Sequence, residues 1–205
     1  MHTRFAALAG SAVLLASSLL GPPIAATAPS MTTRTAAAVT VSGHTHTRTA
    51  AATNFISWPK DVIYVYDKTA ALKKTDGSPV WPVAAAALRW SVGNPVDLRY
   101  TVKGCPTDSQ CVTVSQAEMA DPTAGLTATG FIGGDIKSSN VTLDTTFGRT
   151  QSADRRRNVV CHELGHALGL AHRTAASSCL TSYVTSQRYP DATDIKNLNT
   201  MYGYR

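Results

Sequence analysis

The stretch His162 to His172, HELGHALGLAH, sets three histidines and one glutamate within eleven positions. No other part of the chain restricts its own backbone as much. Four residues make about one turn of α-helix, so His162 and His166 share a face and both imidazoles can converge on one ion. Glu163 lies roughly 100° further round, flanking that face where a general base is needed. Val160, Leu164 and Leu168 fall on the opposite side and can anchor the same turns in a core. Gly169 then allows a sharp stop through positive φ, and the reversed chain can deliver His172. Three neutral imidazoles with a water in the fourth place form the open tetrahedral arrangement of a catalytic zinc. Ser152 or Asp154 is expected to cap this helix, which runs to about Leu168.

The 205 residues suit one medium domain. Residues 1–26 read as a secretory signal: His2 and Arg4, an apolar run from Phe5 to Leu20, the breaker Gly21-Pro22-Pro23, then small residues. Ala26 and Ala28 both fit the cleavage rule. The apolar run carries Ser11, Ser17 and Ser18 and is shorter than the roughly 18–20 residues of a spanning helix, so no stable membrane insertion is expected. Residues 27–53 are rich in Thr and Ala and have no Trp, Tyr, Phe or Leu with which to form a core. They read as a linker or pro-segment. His44 and His46, in HTHTRT, could touch a metal, but a flexible polar segment is the expected context.

Residues 54–205 form the expected domain. Asp61 to Asp67 is β-branched and aromatic, Val96 to Val102 alternates Val96, Leu98, Tyr100 and Val102, and Cys111 to Val114 continues the β character. Leu126 to Ile132 and Val141 to Thr145 read as further strands. A helix is expected from Trp81 to Val92, with Pro82 in its first turn. Another, Asp191 to Tyr202, places Ile195, Leu198, Met201 and Tyr202 on one face. An early helix among strands, then two late helices, predicts an α+β fold with a mixed sheet.

An even count of four cysteines in an exported chain favours disulfides. Three pairings are possible, and the preferred one joins Cys105 to Cys111 and Cys161 to Cys179. No CxxC pair supports their binding metal. The formal charge of +6 falls to +5 once Arg4 leaves with the signal. The basic residues are not interleaved with aromatics, so no nucleic-acid partner is expected. Arg155, Arg156 and Arg157 read as the solvated start of a helix.

The segment His162 to His172 resembles the metzincin zinc-peptidase motif H-E-x-x-H-x-x-G-x-x-H, and its Ala-Leu-Gly-Leu-x-His wording is most similar to the matrixins. The resemblance extends over about Phe55 to Arg205. It implies a zincin-like mixed sheet, zinc held by His162, His166 and His172, Glu163 as catalytic base, and protein or peptide substrates. Leu180 stands where metzincins have the methionine of their turn, and Arg173 where matrixins usually have serine. The acidic, glycine-rich loops of matrixin calcium sites are missing, so calcium is unsupported. No cysteine precedes Cys105, so inhibition by residues 27–53 cannot use a thiol. Substrate is expected as an extended strand along Gly125 to Gly133, which precedes the histidine-bearing helix and is flanked by flexible glycines, with Leu126, Thr127, Ala128 and Tyr183 as candidate contacts. Leu126 and Tyr183 could equally be core residues. A secreted monomeric endopeptidase is the leading expectation; an inactive zinc-stabilised binding module or a basic adhesion protein are the alternatives.

Overall fold

The computed structural model describes residues 55–120 and 123–203. The expected signal and linker segments, with His44 and His46, lie outside the described residues. In chain order the elements are β1 (Val62–Asp67), α1 (Val83–Trp90), β2 (Asp97–Thr101), β3 (Cys111–Ala117), β4 (Gly125–Ile132), β5 (Asp135–Asp144), α2 (Thr145–Thr150), α3 (Ala153–Ala167) and α4 (Ala192–Tyr202). The strands form one five-stranded sheet in the order β2-β1-β3-β5-β4. Four run parallel to one another, and β4 is antiparallel to β5 at the outer edge. The fold is therefore α+β with a mixed sheet.

β1, β3 and β5 occupy the middle of the sheet and supply its apolar interior. Ile63, Val65, Val112, Val114, Val141 and Leu143 are all buried and meet Trp90, Val160, Leu164 and Leu168 of the helical layer. Burying each such aliphatic side chain stabilises the fold by about 1.5–3 kcal/mol before chain entropy is counted. Trp90 closes α1 and donates from Nε1 to the Cys161 carbonyl at 2.9 Å, tying α1 to α3. Gly133 and Gly134, at φ 62° and 93°, make the two-residue turn between β4 and β5. That double positive φ is the turn type whose twist suits a hairpin.

Three expectations change in the folded chain. Val96 and Leu98 are buried, but Tyr100 is 40% and Val102 52% exposed. β2 is an edge strand that ends at Thr101, so the alternation outlasts the cover. β5 begins at Asp135, well before Val141, because the polar residues Ser138, Ser139 and Asn140 pair with β4 and the last two also with β3, while Lys137 falls at the irregularity between the Gly130 and Phe131 pairings. The Ser139 hydroxyl lies 3.1 Å from that of Thr129. Arg156 is not a solvated residue of the first helical turns: it is buried, and its Nη1 donates to the carbonyls of Pro79 and Val80.

Candidate metal centre

The site is organised by the way α3 ends. Ser152 caps its start, accepting from the Arg155 N–H at 3.4 Å. At the other end Gly169 takes φ 92°. Its N–H reaches the His166 carbonyl at 2.9 Å, and the Leu170 N–H reaches Gly165 at 3.0 Å. This left-handed closure satisfies two of the carbonyls a helix end leaves open. Trp58 Nε1 takes the Ala167 carbonyl at 2.8 Å, and the Tyr202 hydroxyl takes that of Leu168 at 2.9 Å. A Cβ on Gly169 would stand 1.9 Å from the Ile56 carbonyl oxygen, so space as well as φ requires glycine here.

This turn also orients an imidazole. The Leu170 carbonyl accepts from His166 Nδ1 at 2.8 Å, and the Cys179 carbonyl accepts from His162 Nδ1 at 3.0 Å. A carbonyl oxygen only accepts, so in both rings the proton sits on Nδ1 and Nε2 keeps its lone pair. The His162 Nε2 is 3.0 Å from that of His166 and 3.1 Å from that of His172. Burial, then the neighbouring His166 and His172, push the His162 imidazole down to about 4, and burial lowers that of His166 as well. Neutral imidazoles with lone pairs this close repel one another unless a cation lies among them. Zinc–nitrogen bonds of about 2.0–2.1 Å set tetrahedral donors roughly 3.3 Å apart, close to the spacing found. The donor set therefore fits zinc, and these three histidines are the residues that would hold it.

Glu163 is 5% exposed and turns toward β4. The Thr127 hydroxyl lies 2.6 Å from Oε2 and 3.0 Å from the Glu163 carbonyl oxygen. Burial raises the carboxyl to about 7, against the lowering effect of the Thr127 hydrogen bond. A Cβ on Gly125 would come within 2.8 Å of Glu163 Oε1 and 2.9 Å of Cγ. Gly125 is thus a strand residue cleared for close approach, whereas the sequence suggested a flexible flank. Leu126, 55% exposed, and Ala128, also exposed, lie on the outer face of β4, and Tyr183 is 62% exposed. Neither Leu126 nor Tyr183 belongs to the core.

Beyond His172 the chain is irregular but closely held. The Arg173 N–H donates to the Leu180 carbonyl at 2.9 Å, and Leu180 is fully buried. A Cβ on Gly165 would stand 2.6 Å from Leu180 Cδ2, which places that leucine directly against the ligand-bearing turns of α3. Disulfides join Cys161 to Cys179 and Cys105 to Cys111. The Arg173 guanidinium bonds Asp191 at 2.5 Å and Asp194 at 2.6 Å, the cap and third residue of α4. Asp194 is wholly buried and also accepts from the Ser178 hydroxyl and the Asp191 N–H. For Asp191, burial alone would raise the carboxyl, but hydrogen bonds from Ser177, the Asp194 backbone and Arg173 hold it down at about 2. Sequence reasoning missed Asp194. Its signal was the D-x-x-D spacing of a reciprocal helix cap.

The family model described as Matrixin matches residues 86–203, more than half of the chain. No curated protein matches the chain significantly. Among solved structures, one titled "GM1 bound form of the ECX AB5 holotoxin" is similar at a TM-score of 0.46 and 16% identity, over 69% of this chain and 80% of that one.

Proposed function

The chain belongs to the matrixin family of metallopeptidases, and from that premise we propose that it is a secreted, monomeric zinc endopeptidase with Glu163 as general base. The observation that carries this reading is the convergence of three imidazole nitrogens, with a buried carboxyl on the residue that follows His162 in the same helical turn. His162, His166 and His172 hold the ion. Zinc, when bound, supplies Lewis acidity toward a water and the scissile carbonyl. Glu163 takes a proton from the attacking water and passes it to the departing amine nitrogen, so the C–N bond breaks without a net change in protons.

The substrate lies extended along the free edge of β4, where Leu126 and Ala128 face outward, with Tyr183 as a further contact. Leu180 fills the place of the metzincin methionine; the two side chains are close in volume and such exchanges cost little in packing. Residues 1–26 are the export signal, 27–53 a linker or pro-segment and 54–205 the catalytic domain. The paired cysteines accord with an oxidising compartment. Among the described residues, no helix is long and apolar enough to cross a membrane.

The test is Glu163→Gln. Zinc content should stay at that of the parent while peptide turnover falls by about 10²–10⁴-fold. Full turnover in this variant would overturn the assignment. Incubating the parent with a diverse peptide library, with and without a zinc chelator, gives the cleavage preference; hydrolysis that persists in the chelator counts against a zinc enzyme.

A further inference from the structure

We infer that Thr127 is a positioning residue for the general base and not a substrate contact, an inference that rests on the assignment of Glu163 above. Thr127 lies on the face of β4 that looks inward, between the outward-facing Leu126 and Ala128. Its hydroxyl is 2.6 Å from Glu163 Oε2, the length of a hydrogen bond to a charged oxygen. The same hydroxyl lies 3.0 Å from the Glu163 carbonyl oxygen. It has one proton to donate, and the shorter, better acceptor is the carboxylate.

A glutamate carboxylate otherwise turns over a broad, two-fold range about its last torsion. Fixing one oxygen fixes the plane of the group, and with it the direction of the other oxygen. Gly125 completes the arrangement from the same strand. Its missing side chain leaves the room that Cγ and Oε1 occupy, since a Cβ there would approach both within 2.9 Å. β4 is held in turn by its ladder to β5, with Thr127 opposite Val141. One strand therefore sets both the line along which substrate main chain would run and the orientation of the base beside it. A displacement of β4 would move the two together.

The experiment compares Thr127→Val, which keeps the branched shape and loses the hydroxyl, with Thr127→Ser, which keeps the hydroxyl. Hydrogen bonds to charged groups are strong enough that kcat for Thr127→Val should fall about ten- to hundredfold. KM should stay within about twofold, and zinc content and melting temperature should remain at the parent's. Thr127→Ser should restore kcat to within a few-fold. In a Glu163→Gln background, Thr127→Val should lower the residual rate no further. A raised KM with unchanged kcat would make Thr127 a substrate contact and overturn the inference, as would an undiminished kcat or loss of zinc. Those results leave Glu163 untouched. Parent-level turnover in Glu163→Gln alone is the separate outcome that removes the base assignment and the role of Thr127 with it.

Discussion

The three clustered histidines come from two regions held in unlike ways. His162 and His166 ride on α3, where helical spacing sets their separation and a buried face, Val160, Leu164 and Leu168, fixes the helix in the core. His172 stands on an irregular segment whose shape comes from elsewhere: the Leu180 carbonyl under Arg173, the Cys161–Cys179 bridge, and the carboxylates of α4. The first region is specified by residues within a few positions of one another. Apart from the short Arg173–Leu180 bond, the second depends on contacts closed over 18 to 21 positions, so it can be loosened without unwinding the helix.

Substitutions can separate the two. The largest effect is expected where they join, at Gly169. Gly169→Ala forces a Cβ into the Ile56 carbonyl at a strained φ and should cost about 4 kcal/mol or more. A denaturant titration showing a cost below about 1 kcal/mol would mean that the turn is not held as described. Replacing Cys161 and Cys179 together by alanine removes a cross-link over 18 positions, which should cost about 3 kcal/mol by the same measurement. Arg173→Met leaves the Asp194 carboxylate buried without its cation; because the Arg173 side chain is 20% exposed, the loss should fall below the figure for fully buried pairs, at about 2–3 kcal/mol. Amide exchange should then quicken across 170–181 and zinc should leave faster to a chelator, while protection within α3 holds. Uniform loosening of both regions would erase the distinction.

The smallest effect concerns acid. The folded Asp191 carboxyl is held at about 2, below the 3.8 of a free side chain. Its contribution is fully present above about pH 4 and is lost as pH falls through about 2. Asp191→Asn should therefore be less stable than the parent by about 1 kcal/mol at pH 5, with the difference shrinking toward zero near pH 2 when both are measured free of metal. A difference that does not change over that range would point to a packing effect instead.

The same division explains what the amino-acid sequence discloses. The convergence of His162 and His166 on α3, the stop at Gly169 and the β character of β1 and β3 are written in local spacing and residue type. Arg156 reads as solvated because three adjacent arginines resemble an exposed helix start, yet the backbone of Pro79 and Val80 lies over one of them. Gly125 reads as flexible because glycine favours turns, and only the approach of Glu163 across the sheet gives its absent side chain a purpose. Tyr100 and Val102 keep a strand's alternation without the cover that would bury them, since no periodicity says which strand lies at an edge. Asp194 is legible as a cap, but not as the carboxylate beneath Arg173 and Ser178.

The bond from Arg173 to α4 also sets an order of assembly. All three clustered histidines and Glu163 are in place by residue 172, but the carboxylates that hold Arg173, next to His172, arrive only with residues 191 and 194. During synthesis, a chain made only to residue 190 would carry the three histidines and Glu163 and lack the contact that ties Arg173 to α4. The last helix is thus the closing piece of the segment that bears His172, supplied by the final residues of the chain to be made.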